Sequence, residues 1–293
     1  MLNIGVLSSG KLGFQTLQKL TPNYSIKFIL TDKHSTDIIA LAKEEQIPFY
    51  AGNPRNGKGF EIIKNIEVDV IASINYLFLI EQDIISHPKK LIFNIHGSLL
   101  PKYRGRTPHV WAIINGEKIA GITAHVVDEG CDTGKIIHQI EVPIEEEDTG
   151  AKMLEKYQTL YVPLVQKVLN DVMNNKLELK AQDHNKATYV EKRTPSDGII
   201  NWNLSKEEIR NWIRAQAHPY PGAFTFFEGQ KITIDKVSIV DAPEDKNYEN
   251  GEIISITPEV IVKTENGALK LVSFREEKVI FKVGNKFNDE NRK

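Results

Sequence analysis

One cysteine, Cys131, stands among 293 residues, so no disulfide can close within the chain. Low cysteine use suits a reducing compartment, and a cytoplasmic location is the expectation. Neither sign of charge is in excess. The formal net charge is −2, so no global positive field gathers nucleic acid. No apolar run reaches the roughly 18 residues of a membrane span, and no membrane partner is expected. The first residues, Met1 to Leu7, lack the basic start and small-residue cleavage site of a signal peptide. They read as a first strand. Neither a GxGxxG nor a P-loop signature occurs, which disfavours dinucleotide or ATP binding. No clustered ligand spacing points to a metal, and none is expected. Internal repeats and low-complexity segments are absent as well.

What is present is an ordinary globular composition, 41% hydrophobic and 26% charged. The length exceeds what one core usually organises, so two domains are expected. Short apolar runs at Ile4–Leu7, Ile26–Leu30, Ile47–Tyr50, Val68–Ser73 and Leu91–Ile95 read as strands. Helical patterns at Phe14–Leu20 and Thr36–Glu45 lie between them, the second with Ser35 or Asp32 as a cap. This alternation predicts an α/β fold, a Rossmann-like, mostly parallel sheet with helices on both faces. Ligands of such sheets sit at the carboxyl ends of the strands.

A long helical pattern opens at Asp148-Thr149-Gly150, with Asp148 as the expected N-cap, and runs to about Met173. Pro163 inside it should kink or split the helix. Residues 175–200 read as a polar, irregular connection. Beyond them Trp212 and Ile209 belong to a short helix. Alternating strands follow at 231–234, 252–256, 260–263 and 269–272, the last two joined by an Asn266-Gly267 hairpin. The expected domains are 1–185, carrying the chemistry, and 200–293, a smaller β-rich, OB-like unit. Residues 288–293 are polar and expected to fray.

The most informative stretch runs from Phe93 to Gly105, with Asp128 to Gly134 downstream. Asn94 and His96 are two residues apart at a strand end, so their side chains face the same way. A glycine-rich loop then brings Asp132. An amide donor, a tunable imidazole and a carboxylate suit acyl transfer to an amine. The developing oxyanion needs donors, and the attacking amine must lose a proton.

Asn94-x-His96-x-Ser98-Leu99-Leu100-Pro101 with the loop ending in Asp132 resembles the folate-dependent formyltransferases over nearly the whole chain. Arg193-Thr194-Pro195 and Pro219 to Phe224 resemble the second-domain segments of the tRNA and sugar branches of that family. Asn94 to Arg106 and Arg193 to Phe226 are most similar to the formyltransferases acting on UDP-4-amino-4-deoxyarabinose. The resemblance implies catalytic roles for Asn94, His96 and Asp132, N10-formyltetrahydrofolate as co-substrate, and a homodimer. It implies a pterin near Val127, Asp128 and Gly130 and near Asn75, Tyr76 and Leu77. Ser9, Gly10 and Lys11, at a strand end and helix start, are candidates for a phosphate of the acceptor. Arg104 and Arg106 are candidates for its diphosphate.

The tRNA branch carries a longer basic loop after the second strand and a more basic C-terminal domain. Here Thr31 to Asp37 is short and nearly neutral, and Glu244, Asp245, Glu249 and Glu252 offset Lys246 and Lys263. Both departures disfavour gripping RNA. The resemblance therefore implies an N-formyltransferase for a nucleotide-linked amino sugar, such as a dTDP-4-amino-4,6-dideoxyhexose. Such products usually enter lipopolysaccharide O-antigen. Methionyl-tRNA formyltransferase is the alternative. His109, His125 and His138 are expected as packed or surface histidines, and Cys131 as a packing residue. Trp111, Trp202 and Trp212 are expected as core or interface anchors.

Overall fold

The computed structural model describes residues 2–241, 248–277 and 279–288. Its first half alternates β1 (Asn3–Ser8), α1 (Gly10–Leu20), β2 (Ser25–Thr31), α2 (Thr36–Glu44), β3 (Phe49–Ala51), α3 (Lys58–Ile63), β4 (Val70–Ile74), α4 (Gln82–Ile85) and β5 (Leu91–His96). A two-residue strand β6 (Arg104–Gly105), α5 (Pro108–Ile114), β7 (Ile119–Val126) and β8 (Ile136–Pro143) lead into α6 (Gly150–Met173). The remainder contains β9 (Tyr189–Val190), α7 (Lys206–Ala215), β10 (Ala223–Phe227), β11 (Gln230–Val240), β12 (Ile253–Ser255), β13 (Ile261–Thr264) and β14 (Gly267–Phe274).

Seven strands form one sheet in the order β3-β2-β1-β4-β5-β7-β8. Neighbours from β3 to β5 are parallel, and β7 runs antiparallel to β5. All five residues of β4 are buried, as in a sheet covered on both faces. The helices bury one stripe each: α1 buries Leu12, Thr16, Leu17 and Leu20, at helical spacing. Leu7, Phe28, Leu30, Ile71, Ile84 and Ile92 make a contiguous core cluster. Gly5 is needed there, because a Cβ would lie 2.2 Å from the Phe28 ring. Strand order reverses at β1, which pairs with both β2 and β4. Such a switch point opens a crevice at the carboxyl ends of the strands. Ser9 follows β1 there, Asn75 follows β4, and Asn94 and His96 end β5.

The second sheet is antiparallel, in the order β10-β11-β14-β13-β12. Its core holds Trp202 stacked on Phe287, with ring centroids 5.4 Å apart, and Ile209 and Ile213 of α7. A capping box between Ser205 and Glu208 starts α7. The chain divides into two compact units that interleave in sequence: 1–105, 121–142 and 156–190 in one, 106–120, 143–155 and 191–293 in the other. Segments 106–120 and 143–155, placed by sequence in the first domain, group with the second unit.

Several elements differ from expectation. Helix α6 runs unbroken through Pro163. The residue before the helix is Thr149, whose Oγ1 accepts from the Lys152 N–H, while the Asp148 carboxylate, one position earlier, accepts from the Glu145 N–H. The β13–β14 turn is Glu265-Asn266, because Thr264 pairs with Gly267 and the glycine enters the strand. Strand β10 and its Glu228-Gly229 hairpin, both residues at positive φ, escaped the reading that Pro219 and Pro221 break the chain. Of the polar end, Asn288 pairs with Phe226 and 289–293 lie outside the described residues. No helix among the described residues is long and apolar enough to cross a membrane.

Pro163 is exposed and leaves the Thr159 carbonyl without its helical donor. Pro163→Ala is expected to raise stability by about 1–3 kcal/mol, read as an increase in Tm. A lower Tm would mean that α6 is shaped around the proline.

Candidate active site

Strand β5 presents Asn94 and His96 on one face, and buries Phe93 and Ile95 on the other. The antiparallel register sets His125 of β7 opposite Asn94 and Thr123 opposite His96. Cross-strand neighbours of this kind touch. The Asn94 amide nitrogen lies 3.2 Å from His125 Nε2. His125 Nδ1 lies 2.9 Å from the Val126 carbonyl, which can only accept. The proton of neutral His125 therefore sits on Nδ1, and its bare Nε2 accepts from Asn94. One amide hydrogen of Asn94 is held, which fixes the direction of the other.

His96 is oriented by the turn after β5. Ser98 Oγ donates to the Lys102 carbonyl, and the Leu100 N–H to Thr123 Oγ1. Gln139 Nε2 donates to both the Leu100 carbonyl and Thr123 Oγ1. The Tyr103 N–H donates to Thr188 Oγ1, with Tyr103 itself at φ 59°. This turn returns the Tyr103 carbonyl to His96, where it accepts from Nε2 at 2.8 Å. His96 Nδ1 then faces Asp132 Oδ2 at 3.5 Å, and His125 Nε2 faces Asp132 Oδ1 at 3.5 Å.

Asp132 stands between the two imidazoles. Its backbone is left-handed, φ 55°, and its Oδ2 accepts from the Gly105 N–H at 2.9 Å. Asp128 shapes the approach by accepting from the Gly130 N–H and Thr133 Oγ1. Gly134 permits the close pass to Val126, where a Cβ would sit 1.8 Å from the carbonyl oxygen. Burial alone would raise the Asp132 carboxyl. The His96 and His125 imidazoles and the Gly105 N–H outweigh it and hold the group well below the usual carboxylate range. Burial lowers His96, and the Asp132 charge offsets only part of that. At neutral pH the Asp132 carboxylate is ionised, and burial disfavours the charged form of the His96 imidazole beside it.

The structure thus brings together all three residues singled out for chemistry. It adds His125, which the sequence placed among the packed or surface histidines. His138 instead pairs with Asp171 at 2.6 Å, and buried His109 meets the Tyr220 hydroxyl. Cys131 is exposed, not packed, and its thiol lies 3.6 Å from Asp132 Oδ2. Ser9 is buried, Gly10 starts α1 at φ 64° and donates to Ser35 Oγ, and Lys11 is exposed. Asn75 Nδ2 donates to the Ser9 carbonyl, so two groups expected at different ligands are joined. Tyr76 is half-buried and burial raises its phenol, whereas Leu77 is exposed. Val127 packs on the core cluster, and Asp128 and Gly130 are exposed. Arg106 is exposed. Arg104 is not: it is 1% exposed, and Gln182, Tyr189 and His184 take up its guanidinium. Those partners account for Arg104 without a diphosphate. Trp202 lies in a core, while Trp111 and Trp212 flank Arg193.

A histidine lowered by burial makes the folded chain refuse a proton that the unfolded chain accepts. Its contribution to stability is complete above about pH 6.5 and is lost as pH falls toward the folded value. NMR titration of the imidazole carbons is expected to place His96 below 6.5. In Asp132→Asn it should move lower still, because the carboxylate raises it. An upward movement in that variant would contradict this electrostatic arrangement.

Comparison with known proteins agrees with the geometry. The family described as formyl transferase matches residues 14–169, and the formyl transferase C-terminal domain matches 192–288. The bifunctional polymyxin resistance protein ArnA of Wigglesworthia glossinidia brevipalpis is 35% identical over 281 residues. That match covers 92% of this chain but 40% of the relative, so the chain spans about two fifths of its length. Among solved structures, the Helicobacter canadensis N-formyltransferase, in complex with folinic acid and dTDP-3-aminofucose, superposes with a TM-score of 0.74. It is 21% identical, covering 94% of this chain and 100% of that one. WlaRD, a sugar 3N-formyl transferase, gives 0.72 at 21% identity, covering 95% and 99%. With both family segments matched in order and the Asn94, His96 and Asp132 side chains gathered at the end of β5, the chain belongs to the formyl transferase family.

Proposed function

We propose that this chain transfers a formyl group from N10-formyltetrahydrofolate to the amine of a nucleotide-linked amino sugar. A dTDP-4-amino-4,6-dideoxyhexose is the acceptor class favoured, with O-antigen or another cell-surface glycan as the destination and a homodimer in the cytoplasm as the working form. The observation that carries the reading is the placing of two imidazoles against the Asp132 carboxylate, with the Asn94 amide on one of them. The short segment Thr31 to Asp37 supports a small acceptor over tRNA.

The acceptor amine attacks the formyl carbon, and the carbonyl oxygen takes the electron pair. Asn94 donates to that oxygen through the amide hydrogen that His125 does not hold. Once Nδ1 has taken up the proton that Asp132 collects, His96 supplies a second N–H donor from that nitrogen and passes the same proton to the leaving N10 nitrogen as the carbon–nitrogen bond breaks, while Nε2–H stays on the Tyr103 carbonyl. Asp132 accepts the amine's proton, directly or through water, and hands it to His96 Nδ1, which it faces at 3.5 Å. An ionised Asp132 carboxylate suits this order of events, since the attacking amine needs a base from the outset.

The folate is a co-substrate, and its surroundings fit a flat ring system. Leu77 and Leu79, in the segment that follows β4, are 44% and 61% exposed and offer apolar surface to such a ring. The exposed 128–131 loop offers backbone groups to the pterin edge. Gly10, at the start of α1, offers the helix N-terminus to an acceptor phosphate.

A coupled assay following tetrahydrofolate release tests the reading, with dTDP-, UDP- and GDP-linked 4-amino sugars run beside methionine-charged initiator tRNA. Turnover of one amino sugar is expected. Asn94→Ala should lower its kcat by about 10²–10³ with little change in KM, and His96→Ala should abolish it. Turnover of charged tRNA alone would overturn the acceptor class.

A further inference from the structure

Gln182 stands in the polar connection after α6, a segment without sequence features of a site, yet it is 6% exposed. Its two amide hydrogens go to the Asp132 carbonyl at 2.8 Å and the Gly134 carbonyl at 2.7 Å. Its Oε1 accepts twice from Arg104, from Nη2 at 2.7 Å and Nε at 3.3 Å. All four hydrogen-bonding positions of the side chain are used. The reversed amide would set oxygen against two carbonyls and NH₂ against a guanidinium, so only one orientation is possible.

The contacts close a ring. Arg104 is covalently followed by Gly105, whose N–H donates to the Asp132 carboxylate. Gln182 links Arg104 back to the Asp132 main chain. Asp132 is thereby held at its carboxylate and at its carbonyl, in a left-handed conformation that a non-glycine residue adopts only under constraint. Arg104 is itself fixed by the Tyr189 hydroxyl at 2.7 Å, by His184 Nδ1 at 3.2 Å and by the parallel pairing of β6 with β9. Among the described residues its partners are an amide, a phenol and an imidazole, and the guanidinium holds the Gln182 oxygen.

We propose that Gln182, braced by Arg104, is a positioning residue that fixes the Asp132 carboxylate against His96 and His125. The proposal rests on the reading of Asp132 as part of the formyl-transfer site. A displacement near 1 Å in such a site is enough to slow chemistry by about a hundredfold. A glutamate at 182 would keep the acceptor for Arg104 but point an oxygen at two carbonyls, so the amide is specifically required.

The test is Gln182→Met, assayed for kcat and KM and titrated at His96 by NMR. The charged or titratable groups acting on His96 are Asp132, His125 and Arg104. With the turn released, Asp132 raises His96 less, so the His96 titration should fall toward that of Asp132→Asn. The expected kinetic result is a 10–100-fold loss in kcat with KM within about twofold. Wild-type kcat together with a wild-type His96 titration in the folded variant would overturn the proposal, whatever the Tm. The titration needs no substrate. It therefore reports on Gln182 even if no amino sugar is turned over, an outcome that counts against the formyl-transfer reading alone. If Gln182→Met does not fold, Gln182→Glu retains a partner for Arg104. The same loss in kcat at constant KM is expected there, and wild-type kcat overturns the proposal.

Discussion

The antiparallel pairing of β5 with β7 is the constraint on which the site depends. A parallel neighbour would have carried β7's side chains past Asn94 in another register. In the observed pairing His125 meets Asn94 and Thr123 meets His96, one cross-strand step apart. Thr123 then anchors the Ser98–Pro101 turn, accepting from Leu100 N–H and donating to the Ser98 carbonyl. That turn delivers the Tyr103 carbonyl to His96 and sends the chain on to Gly105, whose N–H reaches Asp132. A single choice of strand direction thus settles the orientation of an amide, two imidazoles and a carboxylate.

Electrostatics completes what the register begins. An ionised carboxylate that is mostly removed from water is costly unless donors face it. Asp132 has the Gly105 N–H, and its attraction to the two imidazoles when they carry a proton adds to it, so that together these outweigh its desolvation. For His96, burial penalises the charged form more than the one carboxylate favours it. The result is a base and potential proton donors held apart at 3.5 Å, without collapse into a tight ion pair. Such an arrangement keeps the groups responsive to a ligand's charge, as preorganised sites require.

Much of this was legible in the amino-acid order. The parallel strands read as continuous apolar runs because both faces are buried, and Asn94 and His96 share a face by simple alternation. His125 was not legible, because its importance arises from a cross-strand register separated from β5 by a turn and α5. The cross-strand spacing becomes readable only once the direction of β7 is known. Gln182 carried no signal at all: a polar residue in a polar connection looks solvated until the fold buries it under Arg104. Arg104 misled for the same reason, since a guanidinium two residues from a second arginine, in a loop beside the site, reads as an anion contact. Pro163 shows the opposite limit, a strong local preference overridden by the packing of Tyr157, Leu164, Val165 and Val168 along α6.

The central claim is that Asn94 works as a donor only in the orientation that His125 imposes. A double-mutant cycle on kcat/KM for formyl transfer, with Asn94→Ala, His125→Ala and the pair, tests it most directly. Coupling of about 1 kcal/mol or more is predicted, because removing His125 should already remove most of what Asn94 contributes. Additive effects, within about 0.5 kcal/mol, would mean that the two side chains act independently and would contradict the account.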